Sequence, residues 1–176
     1  MKQNISIRHS INEGADRCVL DATDLRLLEL LQRDASLSNV ELAARAHTSP
    51  ATSQRRVRRL TEAGVIEKRV AIVDAGRLGH ALTAIAEVTL DRQGAEHLQD
   101  FEQRIISDDA VQQCYRVSPG PDFVLVLQVA HMDAWAATSE RLFTQDGNVR
   151  NVKTYFSVRR SKFDPKVPVR DLAPAT

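Results

Sequence analysis

This chain is poor in cysteine, and it lacks any long apolar run, any ligand spacing for a metal and any glycine loop built to cradle phosphates. Its 176 residues include two cysteines, Cys18 and Cys114, far apart and outside any C-x-x-C arrangement. Neither a disulfide framework nor a zinc site is expected, and both read as free thiols. No stretch approaches the roughly 20 consecutive apolar residues of a membrane span, and the opening "MKQNISIRHSINEGADR" has no apolar block of signal-peptide kind. The expectation is a cytoplasmic protein with no membrane partner. His47, His80, His97 and His131 are scattered, and neither a phosphate loop nor a nucleophile elbow occurs. No enzyme is expected: no catalytic residue, no metal and no cofactor. Cys114, in "VQQCYRV" beside Tyr115, reads as a strand residue rather than a nucleophile, and Trp135 as a helix anchor in the core rather than a cover over a ligand. No internal repeat is present.

The formal net charge is only +1, which by itself points away from nucleic acid, but the charge is unevenly spread. Between residues 45 and 69 stand Arg45, Arg55, Arg56, Arg58, Arg59, Lys68 and Arg69 against Glu62 and Glu67. Between 91 and 146 acidic residues outnumber basic ones. A basic front and an acidic rear imply two different jobs.

The first 18 residues, polar and without a period, read as a disordered arm. In "LDATDLRLLELLQRDA" leucines 20, 27, 28 and 31 recur at helical spacing, with Asp21 or Thr23 placed to cap a helix from about Ala22 to Gln32. Ser38 and Glu41 form a capping box for a short second helix, whose apolar side is Val40, Leu42, Ala43 and Ala46. A third helix opens at Ser49 with Pro50 in its first turn and stops at Gly64. On a helical wheel Ser53, Val57 and Leu60 face inward, Ala51, Thr52, Arg55, Arg58 and Arg59 point away, and Gln54 and Arg56 lie on the flanks. Next, "VIEKRVAIVD" alternates as a strand would, and "AGRLGH" is a hinge. The remainder reads as strand, helix, strand, strand, helix, strand: "ALTAIAEVTL", "AEHLQDFEQRII" (Ala95, Leu98, Phe101 and Ile105 inward), "VQQCYRV", "DFVLVLQVA", "MDAWAATSERLF" and "VRNVKTYFSV". That βαββαβ order specifies an antiparallel, ferredoxin-like sheet with helices on one face, leaving the other face to be covered by self-association. The proline-rich "DPKVPVRDLAPAT" is expected to lack regular structure, with its first part packing. The domains expected are 1–18 arm, 19–66 three-helix helix-turn-helix, 67–81 linker strand and hinge, 82–169 sensing and oligomerisation domain, and 170–176 disordered tail.

Arginine grips guanine O6 and N7 with two hydrogen bonds, glutamine does the same for adenine, and threonine bonds bases or touches a thymine methyl. An arginine-rich helix face alone fits a solvated surface equally well. A short capped helix just before it, a tight turn and a further helix upstream favour DNA.

These residues carry a resemblance. "LDATDLRLLELLQRDASLSNVELAARAHTSPATSQRRVRRLTEAGVI" resembles the N-terminal winged helix-turn-helix of the Lrp/AsnC (feast/famine) family of transcriptional regulators. "AIVDAGRLG" is similar to that family's linker, and "VQQCYRVSPGPDFVLVLQV" and "VKTYFSVRRSK" to its RAM domain. The resemblance implies an α+β protein that binds double-stranded DNA as a homodimer, often assembled further into tetramers or octamers, and senses a small molecule, an amino acid, at subunit interfaces. It implies a nucleoid-associated location. It places Ser49, Thr52, Gln54, Arg55 and Arg58 where the recognition helix meets DNA, with Arg59 on the same outward side, and Ser38 and Asn39 where backbone phosphates are touched. It places Asp122 in the effector pocket, in a turn with Ser118, Pro119 and Gly120. This sequence departs from the pattern at His47, where a glycine is usual, at Thr48 for a leucine, and in "SPGPD", where Pro119 takes a glycine position. The last departure keeps a second possibility open: a chromosome-organising protein, independent of effector, whose RAM-like domain only oligomerises.

Overall fold

The computed structural model describes residues 18–79 and 82–169. They divide into two compact units: the residues up to Ala71 together with those from Asp164 onward, and Ile72–Phe163. The expected arm at 1–18, apart from Cys18, and the expected tail at 170–176 lie outside the described residues, as do hinge residues His80 and Ala81. Residues 164–169, read from sequence as the end of the sensing domain, are grouped instead with the first unit.

The first unit holds three helices, α1 (Ala22–Arg33), α2 (Asn39–Arg45) and α3 (Pro50–Glu62). Each begins where a side chain satisfies amides that the helix itself leaves unpaired. Asp21 accepts from the N–H groups of Thr23 (2.8 Å) and Asp24 (2.9 Å), while Asp24 accepts from the Asp21 N–H at 3.2 Å. Ser38 and Glu41 make the corresponding reciprocal box on α2. Ser49 caps α3, with Pro50 in the first turn. Leu27, Leu42 and Ala46 form one buried cluster with Val57 of α3 packed against it. Leu28 and Leu60 form another together with Val169, from the far end of the chain. Burying a leucine side chain contributes about 2 kcal/mol, so Leu27 and Leu60, both wholly buried, are principal anchors of this small core. Val40, expected on the apolar side of α2, is exposed, while Leu42, Ala43 and Ala46 are buried.

The turn between α2 and α3 passes through His47 at φ 54°, the left-handed conformation anticipated from the glycine usual there. A side chain with a Cβ is strained in that region by about 1 kcal/mol. His47→Gly is therefore expected to stabilise the first unit by up to about 1 kcal/mol, less what glycine adds to unfolded-state freedom. A urea midpoint that falls rather than rises would refute this.

The strand expected in "VIEKRVAIVD" does not form within the chain: residues 65–74 have no strand pairing. Alternation creates a strand only where a neighbouring strand accepts its backbone bonds, and here Val70, Ile72 and Val73 are 62%, 62% and 61% exposed. A short 3₁₀ turn, Gly76–Leu78, follows, and Gly79 closes it at φ 80°.

The second unit has the order β1 (Leu82–Leu90), α4 (Ala95–Ile106), β2 (Val111–Arg116), β3 (Phe123–Val129), α5 (Met132–Ser139), β4 (Val149–Phe156). The expected helix "MDAWAATSERLF" ends as α5 and widens into a π-type turn over Glu140–Thr144. The strands lie in the order β2-β3-β1-β4, every neighbouring pair antiparallel, which is the ferredoxin-like arrangement. Alternation assigns the faces. Ala84, Ala86, Val88, Leu90, Phe123, Leu125 and Leu127 lie on the core side, with Leu98, Phe101 and Ile105 of α4 and Leu142 and Phe143 of the π turn. Ala95, expected inward, is exposed in the first turn of α4. Phe101 and Phe123 meet at 4.9 Å, and Trp135 packs edge-on against Phe156 at 5.6 Å, the anchoring role expected of it. Cys114 packs against the same core, and burial first, with Glu102 second, pushes its thiol up to about 11. A thiol at that value stays protonated at neutral pH.

Candidate nucleic-acid interface

The starts of α2 and α3 are tied together by the Asn39 side chain, whose Nδ2 donates to the Pro50 carbonyl at 2.8 Å. Ser38 is engaged by its own helix: its hydroxyl donates to Glu41 Oε2 at 2.7 Å and accepts from the Glu41 N–H at 3.3 Å. That hydroxyl bond is also the main reason the Glu41 carboxyl sits below its ordinary pKa. Of the two residues expected at backbone phosphates, Asn39 thus ties α2 to α3 and Ser38 caps α2. Ser49 donates from its hydroxyl to Thr52 Oγ1 at 2.9 Å while capping the Thr52 N–H. The hydroxyl hydrogen of Thr52 remains available as a donor.

The four arginines of α3 divide into two pairs with different roles. Arg56 and Arg59, three positions apart and therefore on one side of the helix, both reach Asp24 of α1. Arg56 Nη1 lies 2.9 Å from Asp24 Oδ1 and 2.6 Å from Asp21 Oδ2. Arg59 Nη2 lies 2.5 Å from Asp24 Oδ2. Asp24 is 1% exposed, so a carboxylate inside the three-helix core is neutralised by the helix that packs over it. The hydrogen bonds that Arg56 donates, to Asp21 first and Asp24 second, hold its guanidinium above its ordinary value. Arg59, read from sequence as pointing outward, is thus turned back toward α1, its long stem letting the guanidinium reach the buried charge.

Arg55 and Arg58 are the other pair. Arg55 is exposed and makes no hydrogen bond or ion pair among the described residues. Arg58 bonds Glu62 at 2.7 Å through Nε, an exposed pair of little energetic value, and both its terminal nitrogens stay open. With Gln54, exposed on the same side, these residues form the outward surface of α3. A groove of about 660 Å³ runs beside them, lined by Val19, Asp21, Asp24, Arg55, Arg58 and Glu62 among others. Sequence reasoning missed Asp24 and Arg56 as the scaffold of this surface, although the Asp21/Asp24 spacing and the three-residue spacing of Arg56 and Arg59 were both visible.

In the second unit Ser118, Pro119 and Gly120 are exposed in the β2–β3 turn, with a cis Ser118–Pro119 bond and Gly120 at φ 120°. Asp122, at the end of that turn, is engaged by β1 and the loop after it. Its Oδ2 accepts from the Leu90 N–H at 2.7 Å and from Gln93 Nε2 at 3.2 Å, and its own N–H donates to the Val88 carbonyl at 2.9 Å. A cavity of about 530 Å³ in this unit lies elsewhere, between α4 and the approach to β4, lined by His97, Asp100, Arg104, Arg141 and Asp146 among others. None of Ser118, Pro119, Gly120 and Asp122 lines it.

Residues 20–67 match the winged helix-turn-helix DNA-binding family and residues 83–167 the Lrp/AsnC ligand binding domain. The chain is 36% identical to a leucine-responsive regulatory protein of Rhizobium meliloti over 83% of this chain and 94% of that one. Its structure is similar to an AsnC family transcriptional regulator from Agrobacterium tumefaciens, with TM-score 0.82 and 25% identity over 88% of this chain and all (100%) of that one. It is equally similar, at TM-score 0.82 and 25% identity over 88% and 99%, to a transcriptional regulator from Neisseria meningitidis solved as its L-Met complex. A capped helix-turn-helix followed by a ferredoxin-like sheet, matched in order along both segments, makes this chain a DNA-binding transcriptional regulator of the Lrp/AsnC family.

Proposed function

We propose that the chain reads specific DNA sites as a homodimer, with α3 in the major groove, and that a small molecule, an amino acid, modulates that binding. The observation that carries the reading is the division of the α3 arginines: Arg56 and Arg59 lock the helix to Asp24, leaving Arg55 and Arg58 outward. A rigid helix presenting Thr52, Gln54, Arg55 and Arg58 has the chemistry for base edges, and Ser38, Asn39 and Ser49 lie beside it at helix starts suited to phosphates. Two such helices in a dimer fit half-sites one helical turn, or a multiple, apart. A cytoplasmic, nucleoid-associated location accords with this role.

The effector would sit at the turn Ser118, Pro119, Gly120 and Asp122, completed by a second copy. The relative solved with L-Met supports an amino acid over the effector-independent reading. A thermal-shift screen with the twenty amino acids tests it, since a ligand at a hundredfold excess over Kd adds about 2.7 kcal/mol. No shift with any of the twenty would remove the sensing role.

Arg55→Ala tests the DNA reading. It is expected to cost about 1–3 kcal/mol against a selected site and to relax preference at one base position. An equal loss on every sequence would reduce Arg55 to a phosphate contact, and no loss on any DNA would remove it from the interface.

A further inference from the structure

The chain joins its two units twice, once at Ala71/Ile72 and again at Phe163/Asp164. The second crossing ends in "DPKVPV", and that segment is built into the helical unit. Val167 precedes Pro168 and follows Pro165 by two positions, and neither proline has an N–H. Both of its backbone groups are taken by one side chain: its N–H donates to Gln32 Oε1 at 2.7 Å, and its carbonyl accepts from Gln32 Nε2 at 3.1 Å. Its own side chain is exposed, so its role is carried by the backbone. Val169 works the other way: its side chain is 6% exposed in a cluster with Leu28 of α1 and Leu60 of α3. Asp164 steadies the approach through its contacts with Lys166. Prolines 165 and 168 reduce the freedom the segment loses on docking.

We propose that Asp164–Val169 is a strap that positions the recognition helix: Val169 supports α3 beneath Leu60, and the Gln32 clamp fixes where the strap lies. The strap continues directly from β4 through residues 157–163, so the last strand of the sensing unit is covalently linked to the support of α3. Val169 and Gln32 are positioning residues, since they act through Leu60 and α1. The inference rests on the reading that α3 contacts DNA.

The test uses the full chain, a duplex selected from a random library by the wild-type protein, and a scrambled duplex of equal length, at a temperature where every variant keeps its helical circular dichroism. Val169→Asp and Gln32→Ala are expected to weaken binding to the selected duplex, by tenfold or more and by threefold or more respectively, with less than twofold change on the scrambled one. Val169→Ile is expected to stay within twofold on both. Amide exchange is expected to quicken in α1 and α3 of Val169→Asp while β1 and β3 stay protected. Should Val169→Asp fail to fold, Gln32→Ala, at a half-buried site on α1, carries the test alone. Unchanged discrimination in Gln32→Ala, or equal losses on both duplexes, would overturn the strap as a positioning element. A wild-type chain that selects no duplex would overturn the DNA reading instead, leaving the exchange result to judge whether the strap supports α3.

Discussion

Asp24→Ala is expected to destabilise the helical unit by about 3 kcal/mol, the lower end of what breaking a buried ion pair costs, because Arg56 and Arg59 keep 22% and 45% of their side-chain surface in solvent. The alanine leaves the Arg59 guanidinium without its carboxylate and Arg56 with Asp21 alone, and it removes the acceptor for the Asp21 N–H, so the start of α1 and the inner side of α3 loosen together. Urea melts followed by helical circular dichroism measure the loss, and amide exchange locates it in α1 and α3. A loss below about 1 kcal/mol would mean the cluster is incidental, as exposed ion pairs commonly are. The cluster also predicts acid sensitivity. The Asp24 N–H, opposed by partial desolvation and aided by Arg56, holds the Asp21 carboxyl below its ordinary value. A carboxyl depressed in the folded state contributes stability above the usual carboxylate range, and that contribution disappears as pH falls through it. The helical unit is therefore expected to lose stability as pH drops below about 4.

Ile85→Asp is expected to convert the proposed dimer to monomer. Ile85 lies on the central strand β1, on the sheet face opposite the helices, and is 37% exposed. Tyr115, Val124, Val126 and Tyr155 share that face by strand alternation. An unpaired carboxylate buried between two copies costs on the order of 3 kcal/mol, and two-fold symmetry introduces it twice. The dimer dissociation constant is expected to rise by about a hundredfold or more. The fold should persist, since the core side of β1 is Ala84, Ala86, Val88 and Leu90. Analytical ultracentrifugation decides: a variant as dimeric as wild type at micromolar concentration would place the self-association surface elsewhere.

Much of this was legible before any coordinates. Capping residues act within three positions of the amides they satisfy, so the starts of α2 and α3 followed from Ser38 and Ser49, and that of α1 from Asp21 or Thr23, of which Asp21 is the cap. Strand alternation is equally local, and the succession of β1 to β4 among the helices followed from it. The strand expected in residues 65–74 failed for the complementary reason: a pattern says which face a strand would bury, not whether a partner is there to pair with it. The turn at residues 118–122 was found from its motif, yet the bonds of Asp122 to Leu90 and Gln93 depend on β1 lying beside β3.

The outward surface of α3 could be drawn on a helical wheel, but the division of its arginines into two that face outward and two anchored to α1 could not. Arg56 and Arg59 stand 32 and 35 positions from Asp24, and only the packing of α3 over α1 makes a buried carboxylate out of an ordinary first-turn acid. The docking of Val169 on Leu28 and Leu60 is more remote still, since it requires the chain to return to its first unit after completing its second. Periodicity and capping are settled among near neighbours along the backbone. Charge neutralisation and core completion are settled among neighbours in space, which the order of residues does not name.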